Sequence, residues 1–158
     1  MIYLGEFDYA VDAQGRVSLP GEWRGEDESS WVLLPEGKKA LLLTTEEALN
    51  AFFAELQKLS LADPALRLAA ARLGSLARSC RCDRQGRLAL PKSHLEGAGI
   101  GKTIKLIGAV THIRLCAPEN WDTAQVNADV AGSLNTVKKL GNDRGALAAL
   151  IEGMTDHE

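Results

Sequence analysis

The sequence of 158 residues contains no hydrophobic run long enough to cross a membrane. A transmembrane helix needs roughly 20 consecutive apolar residues, and no stretch approaches that length. The first residues, Met1 to Glu6, also lack the basic and then apolar layout of a signal peptide. Apolar residues make up 46% of the chain and charged residues 25%, which is typical of a soluble globular protein. We therefore expect a cytoplasmic protein without a membrane partner.

Cysteine and histidine are scarce, with three residues of each. Three cysteines leave at least one unpaired in any disulfide scheme, which fits a reducing compartment. The histidines, His94, His112 and His157, belong to no recognisable Ser/His/Asp or paired-carboxylate arrangement. The sequence therefore predicts a protein that is not an enzyme and has no small-molecule substrate.

One glycine-rich segment has the ending of a phosphate-binding loop. Gly97 to Thr103 closes with Gly-Lys-Thr, as a P-loop does. That motif also requires a glycine five residues before its Gly-Lys pair, and Glu96 occupies this position. We expect no bound nucleotide.

What the sequence does contain is an internal repeat. The stretch from Val11 to Pro20 returns 71 residues later as Cys82 to Pro91, with six of ten positions identical. Ordinary composition gives about one identity by chance. Units of about 60 residues bury too little surface to be comfortable alone, so we expect the two copies to share one core in a pseudo-twofold body.

Each copy has the pattern of two half-buried strands around a tight turn, because apolar and polar residues alternate on both sides. The turn runs from Asp12 to Gly15 in the first copy and from Asp83 to Gly86 in the second. Aspartate at the first position can accept backbone N–H bonds, and glycine at the fourth tolerates positive φ. We assign these four residues a structural role in the turns. A proline then ends each second strand and opens a short helix.

Further strands and helices follow in the same order in both copies. Strands are predicted over residues 31–34, 40–43, 103–107 and 112–116, with a turn at 35–38. The first copy then enters a helix with a capping box from Thr44 to Glu47. Its counterpart opens at Pro118 and includes Trp121. The apolar stripe of the first helix comprises Leu49, Phe52, Phe53, Leu56 and Leu59.

Helical patterns connect the copies and form the tail. Asp63 and Pro64 supply an N-cap and a first-turn proline for a connector helix ending near Gly74. Two weaker helices are predicted at 130–140 and 146–151. The chain thus divides into a first unit (5–48), a helical connector (49–75), a second unit (76–119) and a C-terminal helical tail (120–158).

A possible zinc site has suitable ligand types but an unsuitable place in the repeat. When the two copies are aligned, Cys80 and Cys82 of this set fall at the positions of Tyr9 and Val11, on the inward face of a strand. Small core residues are therefore the better interpretation, and we expect neither a metal nor a cofactor. The four candidate ligands are Cys80, Cys82, His112 and Cys116.

Charge is distributed unequally between the copies. The formal net charge of −3 argues against a broadly basic surface, so nucleic-acid binding requires a local patch. The segment of the first copy that aligns with residues 78–92 of the second copy is not basic. The second copy supplies such a patch with Arg78, Arg81, Arg84, Arg87 and Lys92, against the single acid Asp83.

The arginine after each turn is a candidate nucleic-acid contact. Arg16 and Arg87 project from exposed turns, where a guanidinium can grip phosphate or a guanine edge. Gln14 and Gln85 at the turn tips can reach base edges. The structural alternative is that each arginine pairs with the aspartate of its own turn and that the glutamines are merely solvated.

These paired Asp-x-x-x-Arg elements, each followed by an apolar-x-apolar-Pro step, resemble the MraZ family. The opening segment from Tyr3 to Phe7, the Pro20-x-x-x-Arg24 step, the connector beginning Leu61-Ala62 and the Ile107-Gly108 pair resemble it in order and spacing. The resemblance covers residues 1 to about 127.

The resemblance implies an α+β fold in which two tandem SpoVT-AbrB units form swapped hairpins and one split β-barrel with flanking helices. It further implies a nucleoid-associated DNA-binding transcriptional regulator that assembles into ring-like homo-oligomers. Such a regulator binds short direct repeats in the promoter of the cell-division and cell-wall gene cluster. Arg16 and Arg87 are the implied DNA contacts, and Arg24 and the basic residues of the second copy join them as candidates.

Two departures from the family pattern favour an alternative. Gln14 and Gln85 stand where many relatives have lysine, and the short helix after Pro91 lacks an arginine near Leu95 or Glu96 to match Arg24. Fewer cations reduce phosphate neutralisation. The alternative is an oligomeric scaffold, or an antitoxin-like protein-interaction module, with weak or lost DNA binding.

Overall fold

The computed structural model describes residues 1–25, 30–57 and 63–141. It contains an antiparallel sheet and flanking helices, so the predicted α+β class is confirmed. No helix among these residues is long and apolar enough to cross a bilayer. The strands are β1 (Glu6–Ala10), β2 (Arg16–Ser18), β3 (Ser30–Glu36), β4 (Ala40–Thr45), β5 (Arg78–Arg81), β6 (Arg87–Ala89), β7 (Thr103–Gly108) and β8 (Ile113–Cys116). The helices are α1 (Glu46–Gln57), α2 (Pro64–Leu76), α3 (Lys92–Gly97), α4 (Thr123–Ala128) and α5 (Val130–Gly141), with short 3-10 helices at Gly21–Trp23 and Pro118–Asn120.

Six strands of the described residues form one antiparallel sheet in the order β1-β7-β8-β4-β3-β5. The 71-residue repeat relates β1 to β5, β3 to β7 and β4 to β8. If the two copies are exchanged, the strand order therefore reads the same from the opposite edge of the sheet. The first strand of each copy pairs with the other copy, since β1 pairs with β7 and β5 pairs with β3.

The strands on either side of each turn do not form a ladder with one another. β2 instead pairs with β6, and these two strands form a separate ribbon. Close to each turn the flanking segments do bond to each other, since the Asp12 N–H donates to the Arg16 carbonyl, the Asp83 N–H donates to the Arg87 carbonyl and an isolated bridge joins Cys82 to Leu88. Alternating polar and apolar residues fit a half-buried strand with any partner, so the alternation does not identify that partner.

The main core lies between the large sheet and the ribbon. Val17 and Leu88, opposite each other in the ribbon, are 1% and 0% exposed. They belong to the same cluster as Leu33, Leu43 and Leu106 on the sheet. Burial of these side chains holds the ribbon against the sheet.

Helices α1 and α2 cover the other face of the sheet at β3 and β4. Leu73 of α2 packs with Val32, Leu34 and Leu42, and Leu49 and Phe53 of α1 contact this cluster. The stripe on α1 is thus confirmed at those two positions, and Phe52 is half-buried beside them. The predicted stripe position Leu59 and the side chain of Leu56 lie outside the described residues.

Several helix boundaries differ from the sequence predictions. β4 continues through Thr45, whose Oγ1 accepts the Ala48 N–H at 3.1 Å, so Thr45 rather than Thr44 caps α1. At Pro118 only a 3-10 turn forms. The N-cap Asp122 then begins α4, so Trp121 lies between these helices rather than inside one.

The connector and the tail follow their predicted patterns with small shifts. Asp63 Oδ1 accepts the Ala65 N–H at 3.0 Å, and α2 continues past Gly74 to Leu76. The first tail helix is present as α5. The second, at 146–151, lies outside the described residues. The predicted turn at 35–38 begins later, because β3 includes Glu36.

Candidate nucleic-acid interface

Each turn is organised by one aspartate side chain. Asp12 Oδ1 accepts the backbone N–H groups of Gln14 at 2.9 Å and Arg16 at 2.8 Å. Asp83 Oδ1 accepts those of Gln85 and Arg87, both at 2.9 Å. The two turns thus have the same hydrogen-bond pattern, centred on one carboxylate oxygen.

The same carboxylates orient the two turn arginines. Arg16 Nε lies 2.7 Å from Asp12 Oδ2, and Arg87 Nε lies 2.9 Å from Asp83 Oδ2. The Arg16 N–H holds the pKa of Asp12 below its usual range, and the Arg87 N–H does so for Asp83. These bonds use Nε, whereas the terminal nitrogens Nη1 and Nη2 lie outside them. Pairing within the turn therefore fixes the orientation of each guanidinium, and its terminal N–H donors are not part of that ion pair.

The ribbon places both arginines on one surface. Arg16 lies opposite Ala89, and Arg87 lies opposite Ser18. Directly opposed residues share a face, so all four lie on the face away from the buried Val17–Leu88 pair. The two arginines are diagonal neighbours, whose Cα atoms are about 7–8 Å apart in such a ladder. Pairing between the copies thus converts two distant turns into one arginine-bearing face.

Backbone hydrogen bonds between the copies fix this arrangement. The Leu19 N–H donates to the Gly86 carbonyl at 2.9 Å, and the Leu90 N–H donates to the Gly15 carbonyl at 2.9 Å. Gly15 and Gly86 both have a φ of +77°. That conformation favours glycine, which carries no Cβ penalty at positive φ.

The remaining candidate residues do not all lie on the ribbon. Gln14, Gln85 and Arg84 are exposed on the turns, and Arg81 is exposed on β5. Lys92 is exposed at the start of α3, two residues after Leu90. Because Leu90 bonds to Gly15, Lys92 begins its helix on the side of the first turn, although it belongs to the second copy.

Two arginines have structural contacts that the sequence did not reveal. Arg78 Nη1 donates to the Ser75 and Ala77 carbonyls at 3.0 and 2.8 Å, at the end of α2. Arg24 Nε donates to the Leu19 carbonyl at 2.8 Å. The periodic pattern cannot predict these bonds, because long arginine side chains reach carbonyls of neighbouring elements.

The short helix that carries Arg24 is anchored in the core. Trp23 is 2% exposed and makes edge contacts with Tyr3 and Phe7, at ring centroid distances of 6.0 and 5.0 Å. This aromatic cluster fixes the backbone from which Arg24 projects.

The cysteines lie where the repeat predicts. Cys80 and Cys82 are buried in the main core, and Cys116 is buried in a separate cluster. Burial raises the pKa of the Cys80 thiol to about 11. A thiol in this environment is a small apolar core group rather than a reactive one. After Gly97 to Lys102 the chain enters strand β7, where a P-loop enters a helix.

Comparisons with known proteins identify the family of the chain. A family model described as "MraZ protein, putative antitoxin-like" matches residues 75–139. A protein of Thermoanaerobacter pseudethanolicus named transcriptional regulator MraZ is 30% identical over 128 residues, covering 81% of this chain and 90% of its own length. The chain belongs to the MraZ family.

Other MraZ proteins are similar over the same range. The transcriptional regulator MraZ of Ligilactobacillus salivarius is 29% identical over 132 residues, covering 81% of this chain and 92% of its own. The namesake in Caldicellulosiruptor saccharolyticus is 30% identical over 139 residues, covering 75% and 82%. Membership in the MraZ family thus rests on both copies of the repeat.

Proposed function

We propose that this protein is a sequence-specific DNA-binding transcriptional regulator and that the exposed face of the β2–β6 ribbon is its DNA-contacting surface. The observation that carries the proposal is the placement of Arg16 and Arg87 on one face, each held by an aspartate through Nε. The terminal nitrogens of such a guanidinium match the O6 and N7 acceptors of guanine or the oxygens of a phosphate.

The dimensions of the ribbon suit duplex DNA. The major groove admits a two-stranded β-ribbon, and the turns at both ends extend this face with Gln14, Gln85 and Arg84. The interlocked pairing of the copies supports the finer fold proposal of swapped hairpins in a split barrel. A side chain on such a ribbon is positioned by the core beneath it rather than by a free loop.

Affinity requires more than one copy of this small face. We propose that the protein forms a ring-like homo-oligomer and binds short direct repeats in the promoter of the cell-division and cell-wall gene cluster. Several weak contacts on one duplex raise the effective affinity without any new contact type. Such a regulator is cytoplasmic and nucleoid-associated.

The test replaces both turn arginines and measures binding to the DNA upstream of the protein's own gene. Each Arg-to-guanine contact is worth about 1–3 kcal/mol, so we expect Arg16→Ala/Arg87→Ala to lose at least about 30-fold in affinity. The dependence of log affinity on log salt should also become shallower by about 2 for each protomer bound. Gel shift and fluorescence anisotropy at several salt concentrations provide the measurement.

A matched control removes the same charge elsewhere. Arg72 on α2 and Lys139 on α5 are exposed, and neither belongs to the ribbon. Arg72→Ala/Lys139→Ala should bind within about twofold of the unaltered protein. Equal losses in the two double variants would reject the ribbon as the DNA-contacting surface.

The alternative is a protein-interaction module, either a scaffold or antitoxin-like. It is favoured by α5, where Val130, Leu134 and Val137 are 57%, 63% and 69% exposed. A row of exposed apolar residues along one helix is typical of a protein-binding surface. A salt titration separates the functions, because a scaffold should give no specific DNA complex even at low salt.

A further inference from the structure

Arg24, directly after the 3-10 helix Gly21–Trp23, and Leu95, inside α3, each lie against the turn of the other copy. Arg24 and Leu95 occupy equivalent positions in the 71-residue repeat. Arg24 belongs to the first copy and contacts the second turn, whereas Leu95 belongs to the second copy and contacts the first turn. The two turns are therefore supported by chemically different side chains.

At the second turn, a guanidinium covers the glycine. A β-carbon added to Gly86 would overlap the Cζ, Nε and Nη1 atoms of Arg24. Arg24 Nε also donates to the Leu19 carbonyl at 2.8 Å, while the Leu19 N–H donates to the Gly86 carbonyl at 2.9 Å. Arg24 thus packs against Gly86 and bonds to Leu19, which is itself hydrogen-bonded to Gly86.

At the first turn, the corresponding contact is apolar. A β-carbon added to Gly15 would meet the Leu90 carbonyl oxygen at 2.8 Å and Leu95 Cδ1 at 3.8 Å. The Leu90 N–H donates to the Gly15 carbonyl as its counterpart does in the second turn. Leucine has no donor, so Leu95 cannot offer the Leu90 carbonyl the bond that Arg24 gives Leu19.

The difference also changes the charge beside the turns. Arg24 is exposed, and its cation adds to Arg84 and Arg87 at the second turn. Its field reaches the start of that turn: burial and Asp83 raise the pKa of Cys82, and Arg24 lowers it. The first turn receives no such charge from Leu95.

We propose that Arg24 is a positioning residue for the turn of the other copy. Because the equivalent position of the second copy holds leucine, Leu95, and not arginine, the second turn is the principal DNA contact. The part that concerns DNA rests on the proposed function. A guanidinium beside Gly86 both holds the turn that carries Arg87 and adds a cation to its surface.

The first measurement is independent of DNA. Arg24→Leu should accelerate amide hydrogen exchange at Leu19 and Gly86 about tenfold, as expected for the loss of one hydrogen bond. Exchange at the equivalent residues Leu90 and Gly15 should stay within about twofold. A substitution in the first copy would thus change hydrogen exchange in the turn of the second copy.

The second measurement is affinity for the DNA upstream of the protein's own gene. Arg24→Leu should lose about tenfold in affinity and about one unit of salt slope per protomer bound. Arg24→Lys retains the charge but not the planar fork, so it should recover the salt slope while leaving exchange at Gly86 fast. Arg72→Leu removes an exposed arginine from α2 and should change neither measurement.

Comparison of single turn variants tests the inequality directly. Arg87→Ala should weaken DNA binding at least about threefold more than Arg16→Ala. Equal losses for the two variants would overturn the assignment of the second turn as the principal contact.

The outcomes separate this inference from the proposed function. If Arg24→Leu weakens DNA binding and leaves exchange at Leu19 and Gly86 unchanged, Arg24 contacts DNA directly and its positioning role is rejected. If the unaltered protein binds no DNA at low salt, the proposed function and the principal-contact assignment both fail. The exchange measurements then still decide whether Arg24 holds the turn, because they require no DNA.

Discussion

Asp12 and Asp83 combine two roles that the sequence presented as alternatives. Each carboxylate accepts two backbone N–H bonds and one arginine Nε–H bond. The structural interpretation of the aspartate and the functional interpretation of the arginine therefore describe the same set of bonds. Sequence alone could not combine them, because residue type does not reveal which guanidinium nitrogen the carboxylate uses.

We expect His112 to make the stability of the protein depend on pH. Its ring lies half-buried near Glu36, with Nε2 4.0 Å from Oε2, and burial lowers the pKa of His112 below its ordinary value. The folded state then binds fewer protons than the unfolded state. The stability associated with neutral His112 is fully present above about pH 6.5 and is lost as the pH falls through the range below it.

We therefore expect the free energy of unfolding to decrease as the pH is lowered from 7 to 5. In the His112→Gln variant this decrease should be smaller, because glutamine does not titrate. Urea denaturation at half-unit pH intervals measures both slopes. Identical slopes in the two proteins would show that His112 does not contribute.

At the scale of the elements, the ribbon depends on its buried pair. Leu88 is 0% exposed and belongs to the main core, whereas Ser18 lies on the opposite, arginine-bearing face of the same ribbon. Leu88→Ala should lower the free energy of unfolding by about 2–5 kcal/mol, because it leaves a cavity beneath the ribbon. Ser18→Ala is the matched control and should stay within about 0.5 kcal/mol. Chemical denaturation compares the two, and a small loss for Leu88→Ala would mean that the ribbon does not rest on this core.

The sequence predicted most elements but not their partners. The alternation in both copies located β1, β2, β5 and β6, since period-two patterns survive in any half-buried strand. The pairing of β2 with β6 depends on the direction in which the chain leaves each turn. Residue types alone do not determine that direction. Trp121 was placed in a helix for a related reason, because Pro118 is equally suited to the first turn of a 3-10 or an α-helix.

At the scale of the whole molecule, neither copy is structurally complete alone. β5 has its ladder partner in β3 of the first copy, and β6 has its partner in β2. A fragment containing residues 76–119 should therefore be unfolded as a monomer. It should fold only as the concentration rises, because a second fragment can supply strands equivalent to those of the missing copy.

Circular dichroism and analytical ultracentrifugation over a concentration series test this expectation. In the full chain both copies are covalently joined. The contribution of their pairing to the unfolding midpoint should therefore be the same at every protein concentration. A fragment that remains folded and monomeric on dilution would contradict the requirement for pairing between the copies.

The pairing of Glu6 with Ile107 also determines when the protein can fold during synthesis. β1 is made about 100 residues before its ladder partner β7. At about 5–20 residues per second, the strand waits roughly 5–20 s with its backbone groups unpaired. Its Phe7 and Tyr9 side chains meanwhile lack the core against which they pack in the finished protein. The N-terminal strand is thus the part of the nascent chain most exposed to incorrect association, and its rescue depends on completing the second copy.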